Sequence, residues 1–356
     1  MVDKLKEKTM IELKGVSKQY LYGAQVLNAL DMKIKDGEIV AVLGDEGSGK
    51  TTFVKVVSAV EDCDGEVLLD GNPMTQKTDD TIVVFDDLAL FENRTFFYNL
   101  AFPLTIRGYD KQEISQRVFE AAEKMSIVAC LGDKVKKASL IDKKRLAIAR
   151  LLIRDAKAVF VDDITKGLSA NEAQIILDAL QPILTDFARR GASVVYSTTS
   201  REEARAIADR VVVLHYGEVK QIGAFDEIYA HPQNVWAGEA VDEFFAFEEA
   251  TLQRADGKLQ LTLDGVTLDA SAFEGRVIES FVGGKVYLGW HGEDYAETGE
   301  RTEDVKYSVR LSSGWLDVTE SGRKVVSGQK LDKVCTLPNV NKSYLFDIEN
   351  ENSIEK

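Results

Sequence analysis

Gly44-Asp45-Glu46-Gly47-Ser48-Gly49-Lys50-Thr51-Thr52 has the spacing G-x-x-x-x-G-K-[ST], a phosphate-binding loop. Gly44, Gly47 and Gly49 let backbone N–H groups, with the Ser48 hydroxyl beside them, curl around phosphate oxygens. Lys50 would reach the β- and γ-phosphates, the Thr51 hydroxyl would ligate Mg²⁺, and Thr52 closes the motif. The chemistry is that of a bound nucleoside triphosphate, ATP with Mg²⁺. Such a loop needs a strand leading in and a helix leading out, whose N-terminus adds partial positive charge. Ile39 to Leu43 is an apolar run that reads as a buried strand, and Thr52 to Val60 reads as the helix.

The remaining elements follow from the same patterning. Met10 to Val16 and Gln25 to Ile34 alternate as strands, joined by a turn with Tyr20, Tyr22 and Gly23, after a charged tail over residues 1–9. Glu66 to Leu69, Thr81 to Phe85, Ala158 to Val161, Ser193 to Ser197, Asp209 to Leu214 and Glu218 to Ile222 are further strands. About Phe96 to Ile153 and Asn171 to Arg190 are helical in pattern, and Ser200 with Glu203 spells a capping box. Strands alternating with helices predict a mainly parallel α/β sheet. Near Trp236 to Asp242 the character changes, and from Ala246 onward short alternating strands predict a separate all-β domain, a small barrel. The expected domains are 1–236, with a helical subdomain at about 88–157, and 237–356.

The 356 residues suffice for two or three domains, and 45% apolar content excludes a disordered chain. A formal net charge of −15 argues against a nucleic-acid partner. No apolar run reaches membrane-span length and the N-terminus has no signal-peptide core, so a cytoplasmic protein is expected. Cys63, Cys130 and Cys335 are scattered and read as small core residues; His215, His231 and His291 show no ligand spacing.

In its ordered series of motifs the chain resembles the ATPase subunits of ABC transporters, in particular the carbohydrate-importer branch. Lys18-Gln19-Tyr20 is similar to the segment whose ring stacks on adenine, and Phe91 to Phe102 to the segment that faces the permease. Arg145-Leu146-Ala147-Ile148-Ala149-Arg150 is similar to the helix after the signature motif. Leu288 to Glu293 and Tyr344 to Asp347 resemble parts of the transport-associated OB-type (TOBE) domain. The resemblance implies a P-loop, RecA-like ATPase domain with a helical subdomain and a C-terminal OB-type domain. It also implies a peripheral position on the cytoplasmic face of the membrane, bound to integral-membrane permease subunits, and a carbohydrate or a polyol such as glycerol as solute.

The departures from that family cluster at the reaction centre. Walker B Asp162 is kept as the metal-holding carboxylate, but the catalytic glutamate after it is Asp163, the glutamine after Phe85 is Asp86, and the switch histidine is Thr199. Asp163 draws its carboxylate back by about 1.5 Å, enough to forfeit much of a factor of about 10²–10⁴ in general-base catalysis. A purely local hydrogen-bonding role fits it equally. Asp86 fits metal binding or a strand-end turn, and Thr199 fits a turn residue before the Ser200 cap. The LSGGQ signature aligns with Ala138-Ser139-Leu140-Ile141-Asp142. There Leu140 and Ile141 would fill the phosphate's space and fit poorly at positive φ. Asp142 would repel a phosphate about 4 Å away by roughly 1–4 kcal/mol; a segment released to cap its own helix is the other reading. Phe96, Phe97 and Phe102 are core or permease groove. The expectation is an importer ATP-binding subunit that is the degenerate half of a heterodimer with a second ATPase. The alternative is a non-hydrolysing nucleotide-binding regulator or scaffold. A soluble ABC ATPase of translation or DNA repair would carry paired cassettes or inserts that this chain lacks.

Overall fold

The computed structural model describes residues 9–21, 23–75, 78–295, 302–310, 315–319, 323–327, 333–335 and 337–355. Tyr22 and most of the charged N-terminal tail lie outside them, as does the side chain of Cys335. The chain divides into two units, Met1–Ala224 and Phe225–Lys356.

In the first unit, β1 (Thr9–Gln19) and β2 (Gln25–Lys35) pair antiparallel. They are followed by β3 (Ile39–Leu43), buried at every position, and α1 (Lys50–Val57). Next come β4 (Asp64–Leu69), β5 (Asn72–Pro73), β6 (Thr81–Val84), α2 (Phe96–Thr105), α3 (Lys111–Lys124) and α4 (Leu140–Ala149). Then follow β7 (Ala158–Asp162), α5 (Ala170–Arg189), β8 (Ser193–Thr198), α6 (Arg201–Ile207), β9 (Arg210–His215) and β10 (Glu218–Gly223). The central sheet has six strands in the order β10-β9-β3-β8-β7-β6. All its neighbours are parallel except β10, a hairpin return on β9. Near-continuous Val, Ile and Ala in β3, β7 and β8 follow from burial on both faces. The β2-β1-β4-β5 sheet is separate and antiparallel where ladders are described.

This order puts the C-terminal ends of β3, β7, β8 and β6 side by side, where the loop after β3, the acids after β7 and β6, and the turn after β8 meet. Open parallel sheets bind ligands at that edge. One apolar core joins α2, α3 and α4 to α5 and the β7 side of the sheet through Phe96, Leu100, Val118, Leu146, Ile176 and Val161. Cys63 and Cys130 are half-buried at core margins.

The second unit opens with α7 (Phe225–Ala230) and α8 (Val235–Val241). It continues with β11 (Ala246–Ala255), β12 (Lys258–Leu263), β13 (Val266–Asp269), β14 (Lys285–Trp290) and β15 (Thr302–Arg310). It ends with β16 (Trp315–Thr319), β17 (Lys324–Ser327), β18 (Lys333–Cys335) and β19 (Tyr344–Asp347). The expected all-β domain is present as two antiparallel sheets, β13-β12-β11-β14-β19 and β17-β16-β15-β18. The change of character near Trp236 coincides with α8, whose Val235 packs with Phe245 and Phe346. His291 is a structural residue of this unit. Its Nδ1 lies 2.7 Å from Asp242 Oδ2, its Nε2 lies 2.8 Å from the Tyr229 carbonyl, and it stacks on the Tyr229 ring at 3.9 Å. No helix among the described residues is long and apolar enough to cross a membrane.

Candidate nucleotide site

The loop between β3 and α1 takes the geometry that its glycines allow. Gly49 caps α1 at φ 105°, where a side chain is strained, and a Cβ there would meet the Val26 carbonyl at 2.9 Å. At Gly44 the obstacle is space, since a Cβ would approach the Leu214 carbonyl to 2.2 Å. Gly47 is exposed at the loop's tip. Lys50 folds back across the loop and donates to the Gly44 and Asp45 carbonyls, each at 2.9 Å. Burial pushes its ammonium below the ordinary lysine value, against the pull of Asp163, Asp162 and Asp45.

Two polar atoms at this site are buried without a partner: the Ser48 hydroxyl oxygen and Oδ2 of Asp162. An orphaned buried polar atom costs about 1–3 kcal/mol, so both atoms call for an occupant. Asp162 is wholly buried at the end of β7, and its other oxygen accepts from the Ser197 hydroxyl. Burial raises its carboxyl, the Ser197 hydrogen bond and the nearby Thr51 hydroxyl lower it, and Asp86 raises it again. Thr51 and Asp162 therefore adjoin, as a metal bound between them requires, and the adjacent Thr52 is buried. Asp163 turns the chain sharply at φ 40°, a conformation aspartate tolerates. Its N–H donates to the Ser197 carbonyl at 3.1 Å. Burial pushes its carboxyl up, opposed by Lys50.

Asp86 reaches the same edge. Lys166, in the loop after β7, lies 4.0 Å from Asp86 and 3.9 Å from Glu46 of the phosphate loop. Tyr20 stands beside α1, 39% exposed, with its hydroxyl donating to Glu61 at 2.6 Å and 3.4 Å from Thr52 Oγ1. Thr199 is exposed, between β8 and the Ser200 cap of α6.

Several expectations need correction. Ser200 caps α6, but Glu203 does not close the box. Its carboxylate instead accepts from the hydroxyls of Thr165 at 2.7 Å, Tyr196 at 2.5 Å and Thr198 at 2.7 Å, tying the loop after β7 to β8. The complete capping box is at Ser169 and Glu172. At the degenerate signature, neither Leu140 nor Ile141 has positive φ, because both lie inside α4. Ile141 packs on the core and only Leu140, 42% exposed, stands out; a Cβ on Gly167 would meet it at 3.3 Å. Ser139 caps α4 and donates its own hydroxyl to Asp142 at 2.6 Å, and Arg145 pairs with Asp142 at 3.4 Å. The aromatic group also divides. Phe96 is core, whereas Phe91, Tyr98 and Phe102 form a ring cluster, with Phe91 and Phe102 5.0 Å apart. Phe91 and Phe102 line a cleft of about 620 Å³ with Arg107, Arg150 and Arg154.

The profile of the ABC transporter family matches residues 27–166. The spermidine/putrescine import ATP-binding protein PotA of Haemophilus ducreyi is 31% identical over 264 residues, 72% of this chain and 69% of that protein. The chain belongs to the ABC transporter family. PotA of Vibrio cholerae is 30% identical over 73% of this chain and 69% of its own length. Among solved structures, cbiO1 of Clostridium perfringens, part of an ABC transporter complex, has a TM-score of 0.55 at 24% identity, covering 63% of this chain and 92% of that one. A dimeric ATP-binding cassette bound to ADP and Pi has a TM-score of 0.54 at 25% identity, covering 60% and 98%. ATP and Mg²⁺ are the cofactors of the family, and the orphaned Ser48 and Asp162 oxygens fit them.

Sequence reasoning gave Lys166 no role, placed Ser197 only in a strand and gave Glu203 only a capping role; the fold brings them to the sheet edge.

The buried acids give a pH prediction. Asp162 and Asp163 have folded-state values above their unfolded ones. Their contribution to stability is therefore greatest at low pH, below the unfolded carboxylate value, and is lost as pH rises through the folded value. In nucleotide-free protein, Asp162→Asn removes part of that loss, so its Tm gains on the parent's as pH is raised from about 4 to 7. A Tm difference independent of pH contradicts this.

Proposed function

We propose that this chain is an ATP-binding subunit of an ABC importer, the catalytically weakened half of an ATPase pair. The observation that carries the reading is an asymmetry. The groups that hold a triphosphate and its metal are assembled, namely Lys50, Ser48, Thr51 and Asp162. Those that would split it are altered: Asp163 is short, Thr199 has no imidazole, and Ser139 is engaged with Asp142 of its own helix. A head-to-tail dimer sets one chain's phosphate loop against the other's signature, so an intact partner would create two unlike sites. The one built on this chain's loop binds tightly and turns over slowly. The dimeric cassette among the structural neighbours supports such a pairing.

The relatives' printed names support import as the direction. Those names give spermidine and putrescine as the solutes of the relatives, where a sugar or polyol was expected for this chain, and the ATPase subunit does not itself choose the solute. The Phe91, Tyr98 and Phe102 cluster with its arginine-lined cleft suits a permease segment at the cytoplasmic membrane face. Affinity isolation of the chain from membranes tests the reading. Recovery with an integral-membrane permease and a second ATPase supports it. Recovery of a self-paired chain with nucleotide and no permease favours the regulator or scaffold instead.

A further inference from the structure

The loop after β7 is anchored on both sides of Thr165. Ile164 before it is fully buried in the core. The Thr165 hydroxyl donates to Glu203 at 2.7 Å, and the same carboxylate accepts from Tyr196 and Thr198. The Lys166 N–H donates to the Asp163 carbonyl at 3.0 Å, and the Leu168 N–H to the Thr165 carbonyl at 3.1 Å, closing the turn. The backbone of Lys166 is thereby held, and its long side chain is the part left free to move.

That side chain reaches the phosphate loop. Its ammonium lies 3.9 Å from Glu46, which sits between Gly44 and Gly47, and 4.0 Å from Asp86 just after β6. Among the described residues it makes no hydrogen bond, and its side chain is 53% exposed. Exposed ion pairs at such distances are weak and screened by salt. Lys50, by contrast, is buried and tied to two carbonyls of the loop. The site therefore has one cation fixed in place and one held loosely beside it.

A third phosphate has most need of the loose one. Thr199 supplies no imidazole, and Asp86 puts a negative charge where the family has a neutral amide. The edge is thus short of one donor and richer by one repelling charge. An ammonium shared between two distant carboxylates gains by turning to a phosphate oxygen at hydrogen-bond distance, because short charge-assisted hydrogen bonds are the strong ones.

We propose that Lys166 is a nucleotide-binding residue that selects triphosphate over diphosphate, leaving Glu46 and Asp86 to engage the terminal phosphate. The proposal rests on the nucleotide-binding reading above. An ammonium that merely neutralised Glu46 and Asp86 would favour both nucleotides alike.

Calorimetric titration of the full-length parent and of Lys166→Met with Mg-ATP and with Mg-ADP separates these roles. Lys166→Met is expected to lose roughly tenfold or more in ATP affinity, the size of one charged hydrogen bond, and less than about threefold in ADP affinity. The side chain is half-exposed and only weakly paired, so the variant's Tm should stay close to the parent's. Lys166→Gln gives the same comparison if methionine does not fold. Equal losses for the two nucleotides, or no loss with ATP, would overturn the proposal and leave the nucleotide reading intact. A parent that binds neither nucleotide overturns that reading itself.

Discussion

Lys50→Ala abolishes nucleotide binding while the fold survives. Lys50 is held over the phosphate loop by two carbonyls at 2.9 Å, and it faces Asp162 and Asp163 from within the site. Truncating one partner of a buried, hydrogen-bonded charge pair costs about 2–5 kcal/mol, which is roughly a 30- to 5,000-fold loss of affinity. The apo fold is not at risk to the same degree, because burial already disfavours this ammonium. Calorimetric titration with Mg-ATP measures the loss, and thermal unfolding of the same sample checks the fold. An affinity within threefold of the parent's (about 0.6 kcal/mol) would remove Lys50 from the site and the proposed function with it.

The second large effect concerns hydrolysis by the assembled pair. Restoring Gly at Leu140 and Ile141 raises the pair's ATP turnover more than restoring Glu at Asp163 and His at Thr199. This follows from where the defects lie. In the proposed pair, Leu140, Ile141 and Asp142 would close over the nucleotide of a partner with its own base and histidine, so relieving them would improve the site proposed to do most of the chemistry. The structure sharpens the expectation to particular atoms. Leu140 is exposed and free to be replaced, and Ser139 must give up its hydrogen bond to Asp142 before it can donate elsewhere. Ile141 supports the core, so Leu140→Gly with Asp142→Gln should capture most of the gain at the smaller cost in stability. A well-placed general base contributes about 10²–10⁴-fold. If the Asp163→Glu, Thr199→His pair gives the larger increase, the busy site is the one on this chain's own loop.

The loop of residues 44–52 was legible in the sequence because its demands are local. A left-handed residue at Gly49, a bare α-carbon at Gly44 and a lysine opening a helix are fixed by neighbours a few positions apart. The same holds for the strands buried on both faces, whose apolar runs speak for themselves. Ser200 as a helix cap was equally visible, since capping needs only a hydroxyl and the next turn.

Glu203 shows where that legibility ends. Its spacing from Ser200 spells a capping box, but three hydroxyls from Thr165, Tyr196 and Thr198 surround it in the fold and outcompete one backbone N–H. Ile141 behaves likewise: the sequence places it in a phosphate's path, and packing turns it into the core. By sequence alone Lys166 is a surface cation on an acidic protein.

The sequence by itself determined that this chain has a triphosphate loop, a parallel α/β sheet to hold it and a separate β domain, because short-range sterics and burial period write those directly into residue order. Only the tertiary structure decided which charges share the loop's edge. Asp86 follows β6, Asp163 and Lys166 share the loop after β7, and Lys50 opens α1, and electrostatic energy between these segments depends on distances in space that spacing along the chain does not encode.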